Sequence, residues 1–367
     1  MGVSQKLLKN LRRDVSISLF IYSLPVVAIY LYLVLNKGGV AETHLVLPSF
    51  LEFAKPAFVN LRTWGLTAFI LLLGVVEFAA GMYDDQWTGE ERKVDVICFL
   101  VPKLLIPPVV AFFSLTALPY LIPNFENTFS WVPFWGGFFL IAIADDLTQY
   151  WYHRLHHQVP FLWRFHRTHH SAPYMGMAMA SRQNFIYTVF FSQTYLTATL
   201  TFLGLGLPAL FVKVIKSFIT LGAHSSIAWD KPFYKYKVLH PIAWVLERLI
   251  STPATHHAHH ADTSGDGVGH FKGNFGNMFF LWDVIFGTGL ITRKFPKSYG
   301  TKSYKQEEWY AQFLWPIFKS KKEGSILSEG VLSIPISKNK NVVLSNSATG
   351  NENVIVTNPN IYEPVQS

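Results

Sequence analysis

Ten of the chain's 14 histidines fall in three short windows of the sequence. The windows contain His153, His156 and His157; His166, His169 and His170; and His256, His257, His259 and His260. Residues three and four positions apart share one face of a helix, so each window is expected to direct imidazoles toward a common point. Neutral imidazole is the commonest metal ligand in proteins. Eight converging nitrogens suffice for two ions, and the pattern therefore predicts a dinuclear metal centre.

The spacing H-x3-H in the first window and H-x2-HH in the other two selects eight of these histidines as ligands. They are His153, His157, His166, His169, His170, His256, His259 and His260. His156 and His257 are surplus under this spacing, and the sequence leaves open whether they touch metal. His224 lies outside the windows at the end of an apolar stretch, and we expect it to be a ninth ligand, since two five-coordinate ions can use one.

A carboxylate precedes the first window. Asp146 lies seven residues before His153, which is two helical turns back on the same face. Metal-bound imidazoles usually donate their second N–H to a carboxylate or a carbonyl, and we expect Asp146 to accept such a bond in the catalytic centre. The alternative is that Asp146 is only a charged residue at the end of a helix, at the membrane surface. We expect its neighbour Asp145 to be solvated.

The elements that carry these residues are predicted to be membrane helices. Half of the residues are hydrophobic and only 15% are charged, whereas soluble domains carry about 25% charged residues. A spanning helix needs roughly 20 apolar residues. The candidates are Ser16–Leu35, Trp64–Met82, Val96–Leu121, Trp131–Ala144, and a stretch from Phe185 to Leu221 that Gly204, Gly206 and Pro208 should fold into a hairpin. The net charge of +8 is spread along the flanks of apolar runs, so we expect no nucleic-acid partner.

The predicted fold is therefore all-α: about four spans plus a helical hairpin, carrying a histidine-rich helical cap for two metals. Lysines and arginines before the first span place the N-terminus in the cytoplasm, and counting spans puts every histidine window on that side. We expect an integral protein of a bacterial inner membrane or the endoplasmic reticulum. The predicted domains are anchor spans at 1–130, a catalytic domain at 131–292, and a polar, largely flexible segment at 293–367.

Several motifs resemble those of the fatty acid hydroxylase/sterol desaturase superfamily. They are the run from Asp146 through His153-Arg154, then Phe161-Leu-Trp-Arg-Phe-His166-Arg-Thr-His169-His170, then Thr252-Pro-Ala-Thr-His256-His-Ala-His259-His260, followed by Asn274-Phe-Gly276 and Trp282-Asp283-Val-Ile-Phe-Gly287-Thr288. The Thr252-Pro253 lead-in to the last cluster and the closing Trp282-Asp-x-x-Phe-Gly-Thr288 look most similar to those of the alkylglycerol monooxygenase branch, with sterol desaturases as near neighbours. Gln158 and Ala228 depart from the pattern of that branch.

The resemblance implies a membrane-embedded non-haem oxygenase with two iron ions held by the eight histidines, with His224 matching a further family histidine. It also implies a lipid substrate, dioxygen, and electrons from cytochrome b5, ferredoxin or tetrahydrobiopterin. The product is an alcohol or an alkene, and the ligand set does not decide between hydroxylation and desaturation. The competing hypothesis is a histidine-rich membrane metal-binding or transport protein without oxygenase activity.

Overall fold

The computed structural model describes residues 77, 87–190, 192–301 and 306–328. The predicted spans Ser16–Leu35 and Trp64–Met82 lie outside these residues, apart from Glu77. Within the described part the chain is all-helical, and its β-structure is limited to an isolated antiparallel bridge between Ala261 and Tyr299.

The helices, numbered in chain order, have the following bounds. They are α1 Gly89–Phe112, α2 Leu118–Leu121, α3 Phe134–Gln158, α4 Pro160–His170, α5 Phe185–Val189, α6 Ser192–Leu200, α7 Gly206–His224, α8 Lys231–Lys235, α9 His240–Leu249, α10 Pro253–His259, α11 Leu281–Phe286 and α12 Trp309–Leu314. Wider π turns at Phe113–Ala117 and Thr201–Leu205 join α1 to α2 and α6 to α7.

Two helical stretches are long and apolar enough to cross a membrane, and both overlap predicted spans. They are Gly89–Leu121 and Phe185–His224. The first begins with Thr88 as N-cap, whose hydroxyl accepts the N–H of Glu91, and it continues through Pro102, Pro107 and Pro108. Acidic residues in its first turn complement the helix dipole.

The second stretch folds back on itself at Gly204, as predicted. Gly204 has φ +92°, a conformation that glycine adopts without a steric penalty. Gln193 before the turn and Lys216 after it both reach the carboxylate of Asp145 in α3. Leu205 at the turn instead lies beside Gly137, nearer the start of α3. The two arms therefore run antiparallel along α3, and His224 returns to the end of α3 that carries the first histidine window.

The bundle consequently has two distinct ends. The end with the histidines we call the histidine end; the opposite end holds the Gly204 turn and residues 123–133, whose backbone bonds to Phe202 and Leu203. Between the ends, Ile141 and Ala142 of α3 pack against Leu205, Ala209 and Val212. This packing fixes α7 along α3 and so fixes the position of His224.

Part of the C-terminal segment departs from the expected flexibility. Residues 306–328 pack against the catalytic helices: Trp315 and Leu327 are fully buried with Phe165 and Tyr187, and Phe313 packs beside Cys98. Within the segment predicted to be largely flexible, residues 306–328 thus complete an existing core.

Candidate metal centre

The three histidine windows lie on three helices that meet at the histidine end. The first window ends α3, the second ends α4, and the third occupies α10. Pro160 starts α4 directly after α3, so that the first two windows lie on a tight helix pair. Thr252 caps α10 through a reciprocal bond with Thr255, with Pro253 at the first helical position. Each window is thus positioned by an ordinary helix boundary.

Nine histidines converge into two groups whose ring nitrogens lie within 4.8 Å of one another inside each group. The first group contains His153, His157, His166, His170 and His259; the second contains His169, His224, His256 and His260. The two groups adjoin, since the rings of His170 and His260 stack with centroids 4.2 Å apart. These nine are the histidines singled out as candidate ligands in the sequence, and their binding of metal remains a prediction.

The grouping differs from the windows in one respect. We expected each window to aim at one point, but His169 joins the second group while His166 and His170 join the first. Likewise His259 joins the first group and its neighbours His256 and His260 the second. Successive helical residues are separated by about 100°, so a residue between two members of one face points to a different centre.

Hydrogen bonds from the backbone orient four of the rings. The Nδ1 atoms of His153, His259, His224 and His169 lie 2.7, 2.7, 2.7 and 3.2 Å from the carbonyl oxygens of Phe275, Gly273, Thr220 and Arg182 respectively. A carbonyl only accepts, so each Nδ1 must carry the proton and donate it. Each Nε2 then presents a lone pair to the interior of its group, as in metal-bound histidines.

Where both rings of a pair have this tautomer, as for His153 with His259 and His224 with His169, two lone pairs face each other without a proton between them. Nε2 of His153 lies 3.2 Å from Nε2 of His157 and 3.1 Å from Nε2 of His259. In the second group Nε2 of His224 lies 3.3 Å from that of His169 and 2.9 Å from that of His256. Two nitrogens bound at about 2.1 Å and at right angles to each other on one ion would be about 3.0 Å apart. The donor geometry therefore fits a cation in each group.

Other ring nitrogens are buried without a protein partner. They are both nitrogens of His166, Nε2 of His170, Nδ1 of His256 and Nε2 of His260. Buried polar atoms nearly always form hydrogen bonds. Unbonded ring nitrogens in two adjoining groups therefore indicate that these histidines are ligands of bound ions. Neither group includes a carboxylate or a thiolate, and an all-imidazole set suits iron, copper, nickel or zinc.

Burial keeps these imidazoles neutral. It lowers the pKa of His153 to about 4 and holds the pKa of His256 and His259 well below the ordinary value of 6.5. None of the nine rings is more than 4% exposed. Since only neutral imidazole binds metal, the site is held in its binding form across the physiological pH range.

The two surplus histidines belong to neither group. His257 has both nitrogens engaged, with the Ser225 carbonyl and the Tyr299 hydroxyl each 3.0 Å away. His156 bonds the Tyr152 carbonyl through Nδ1 at 2.8 Å, and its ring packs on Tyr187. These contacts account for both residues as structural supports of the helices that carry the ligands.

Asp146 does not contact His153, contrary to its expected role. Its oxygens accept N–H groups of Met278, Phe279 and the Trp282 ring at 3.2, 2.8 and 3.1 Å. The Phe275 carbonyl takes the place predicted for the carboxylate. Asp146 therefore fixes the segment that supplies this carbonyl.

Asp145 is also different from the expected solvated neighbour. It is buried, and its carboxylate lies 2.6 Å from the ammonium group of Lys216 in α7. The pair ties α3 to the second arm of the hairpin.

A tight turn closes over the third window, as the glycines of Gly273-Asn-Phe-Gly276 predicted. Asn274 has φ +55° and donates to the Thr255 and Leu290 carbonyls at 2.9 and 3.0 Å, which is a turn role. Asp283 accepts the N–H groups of Phe275 and Gly276 at 2.9 and 2.6 Å. Burial raises the pKa of Asp283 to about 6. The turn presents the Gly273 and Phe275 carbonyls to two rings of the first group.

Arg182 supports the second window and was not singled out in the sequence. It is fully buried, forms ion pairs with Glu91 and Asp95 of α1, and donates to the Gln312 side chain at 2.7 Å. Its Nε donates to the Thr168 carbonyl at 3.1 Å, next to His169. Three distant segments meet here, and no local pattern marks such a residue.

Glu77 is a second supporting residue that the sequence analysis passed over. It is fully buried, and its carboxylate accepts the N–H of Ser226 at 2.7 Å and the hydroxyl of Ser225 at 2.8 Å, directly after His224. A carboxylate inside an apolar stretch is costly and usually functional, so its place within the predicted span Trp64–Met82 was the available clue.

A comparison with protein families matches residues 138–288 to the fatty acid hydroxylase family. The matched range contains all nine histidines and the Asp283 turn. This part of the chain belongs to the fatty acid hydroxylase/sterol desaturase superfamily. Comparisons with curated proteins and with solved structures gave no match.

The superfamily is of oxidoreductase type and associated with membranes. The matched domain and the two histidine groups fit a membrane di-iron hydroxylase or desaturase at the level of the family.

Proposed function

We propose that the protein is a membrane-bound di-iron oxygenase that hydroxylates or desaturates a lipid, with the alkylglycerol monooxygenase-like and sterol desaturase-like activities as its nearest candidates. The observation that carries the proposal is the pair of adjoining all-histidine groups inside a fatty acid hydroxylase domain. A single structural ion uses four ligands, so nine convergent imidazoles exceed what structural binding requires.

Iron bound in the two groups would activate dioxygen. For hydroxylation the balance is R–H + O2 + 2 e⁻ + 2 H⁺ → R–OH + H2O, and the two electrons come from an external donor, for which cytochrome b5, ferredoxin and tetrahydrobiopterin are the candidates. Desaturation uses the same oxidant and removes a second hydrogen from the substrate instead of forming a C–O bond.

The chain's own residues hold the centre and keep it dry. Carbonyls of Gly273, Phe275, Thr220 and Arg182 set the ring tautomers, and every ligand ring is buried. A reactive oxidant shielded from water attacks the bound substrate in preference to solvent. The apolar helices α1, α3, α6 and α7 offer a lipid substrate a route to the histidine end.

Single substitutions in each group test the proposal. We expect His259→Ala in the first group and His256→Ala in the second each to lower the iron content and to reduce the oxidised lipid more than about 100-fold. Substitution of even the hydrogen-bond partners of metal ligands lowers metal affinity or activity about 10–100-fold. His240→Ala is the matched control, because His240 lies outside both groups and bonds the Tyr234 carbonyl. Iron is measured by mass spectrometry, and products by comparative lipidomics of expressing cells.

The same measurements distinguish an oxygenase from the competing hypothesis of a membrane metal-binding or transport protein. A metal transporter would change cellular metal content with expression and leave the lipid profile unaltered. Full lipid oxidation in either histidine variant would contradict the proposed function.

A further inference from the structure

A cavity of about 300 Å³ lies beside the second histidine group, separate from both sets of ligands. Its walls come from four places in the chain: the residues after α4, the residues after α7, α10, and the segment 295–299. The residues used below are Ser226, Lys231, His257, Phe295, Lys297 and Tyr299. A volume of this size is at the lower end for small-molecule sites.

The charge of the lining is entirely positive. Lys231 and Lys297 contribute ammonium groups, and no acidic side chain lines the cavity within the described part of the chain. Two carboxylates bond to lining residues from outside the cavity: Asp262 accepts the hydroxyl of Ser298 at 2.7 Å, and Glu77 accepts the hydroxyl of Ser226 at 2.8 Å. Lys231 is held over the Phe295 ring, 4.7 Å from its centre, a cation–π contact that keeps the ammonium group at the cavity.

The polar groups of the back wall are engaged within the protein. His257 donates Nε2–H to the Ser225 carbonyl, and its Nδ1 lies 3.0 Å from the Tyr299 hydroxyl. The Ser226 hydroxyl donates to the Glu77 carboxylate at 2.8 Å. The two lysines are therefore the groups of the lining that can bind an anion, and the rings of Phe295 and Tyr299 line the cavity beside them.

We propose that this cavity binds a phosphate group carried by a small molecule or by a lipid headgroup. Lysine ammonium groups bind phosphate as point charges, and the aromatic rings suit an apolar part of the same ligand. The lining residues His257 and Ser226 follow His256 and His224 of the second group by one and two positions in the chain. The proposal stands independently of the oxidation chemistry, because none of the predicted metal ligands lines the cavity.

Binding to the purified full-length protein tests this directly. The probes are inorganic phosphate and a water-soluble short-chain phosphatidic acid, with short-chain phosphatidylcholine as the comparison lipid, each followed by ³¹P NMR with the detergent-solubilised protein. The test variant is Lys231→Gln with Lys297→Gln. The control is Lys235→Gln with Lys294→Gln, which removes the same charge from neighbouring exposed positions outside the cavity.

We expect saturable phosphate binding that the test variant weakens at least tenfold and the control leaves unchanged. Binding of inorganic phosphate identifies a soluble ligand, whereas a response only to phosphatidic acid identifies a lipid headgroup. The absence of saturable binding to either probe, or an equal loss in both variants, would overturn the proposal. Metal content is measured in both variants as a check of folding, since exposed lysines should not alter it.

Discussion

At the scale of single residues, hydrogen bonds distinguish His257 from the predicted ligands. Four rings donate Nδ1–H to a carbonyl and turn Nε2 inward. His257 uses both nitrogens within the protein. The spacing of histidines in the sequence predicted which ones converge, but it left His257 open because its partners Ser225 and Tyr299 come from other segments of the chain.

His257→Ala should leave the metal content unchanged while lowering stability. The substitution removes two buried hydrogen bonds and leaves the Ser225 carbonyl without its partner, at a cost of about 1–3 kcal/mol. Metal content and the thermal unfolding temperature of the purified protein are the measurements. Loss of metal comparable with that of the neighbouring His256→Ala variant would contradict the assignment of His257 as a support.

Stability of the metal-free protein should fall as the pH is lowered. An unfolded imidazole titrates near 6.5, whereas burial lowers the pKa of His153 to about 4 and of His257 to about 3. The folded state therefore binds fewer protons, so stability present above pH 6.5 is lost as the pH falls toward 4 and 3. Unfolding temperatures between pH 7.5 and pH 5 measure the effect.

Several buried carboxyls act in the opposite direction. Burial raises the pKa of Asp146 and Asp230, and it raises the pKa of Asp283 to about 6. The contribution of Asp283 therefore falls as the pH rises from 3.8 to 6. The buried imidazoles outnumber these carboxyls, and the net trend with acid is destabilising. Stability that is flat or increasing from pH 7.5 to pH 5 would contradict the neutral, buried state of the rings.

At the scale of elements, the turn at residues 273–276 joins the first group to α11. A side chain at Gly276 would place its Cβ 2.5 Å from the Phe279 carbonyl oxygen and 2.9 Å from the Asp283 carboxylate. Gly276→Ala should therefore displace the Phe275 carbonyl from His153 and lower the metal content of the first group. Gly265→Ala is the control, because its Cβ would meet only ordinary contact at 3.4 Å. Equal metal content in the two variants would contradict this role of the turn.

A second element-scale support is the junction between α1, α4 and α12 at Arg182. Arg182→Met should destabilise the protein by about 3–5 kcal/mol, since it leaves Glu91 and Asp95 buried without their cation. Arg248→Met is the control: Arg248 is 34% exposed, and Glu247 keeps its pair with Arg293 after the substitution, so we expect a loss of about 0–1 kcal/mol. Denaturant unfolding compares the two, and similar losses would contradict the buried network.

The elements also show what the sequence could and could not predict. The hairpin at Gly204 and the overlap of two predicted apolar spans with long helices follow from local residue types. The division of His166, His169 and His170 between two groups does not, because it depends on how α4, α7 and α10 are rotated about their axes. The contact of Gln312 with Arg182 joins residues far apart in the sequence, and α12 lay in a segment expected to be flexible.

At the scale of the whole molecule, the two ends of the bundle define its direction in a membrane. We expect the histidine end to face the cytoplasm, as the charge distribution of the sequence predicts. The native Cys98 is 1% exposed, so an added cysteine can report on its own surroundings. A membrane-impermeant maleimide should label Glu126→Cys in intact cells and Ser264→Cys only after the membrane is opened. The reverse pattern would contradict the orientation.

The two histidine groups also differ in how far along the chain their members are spread. Four members of the first group lie between His153 and His170, on adjacent helices. In the second group only His169 precedes the hairpin, and the other members, His224, His256 and His260, come later in the chain. Closing a short loop costs less entropy than closing a long one. During synthesis the first site can thus gather most of its donors soon after α4 emerges, while the second is completed only when α10 has been made. We therefore expect metal loading to follow the direction of translation, with the first group ahead of the second.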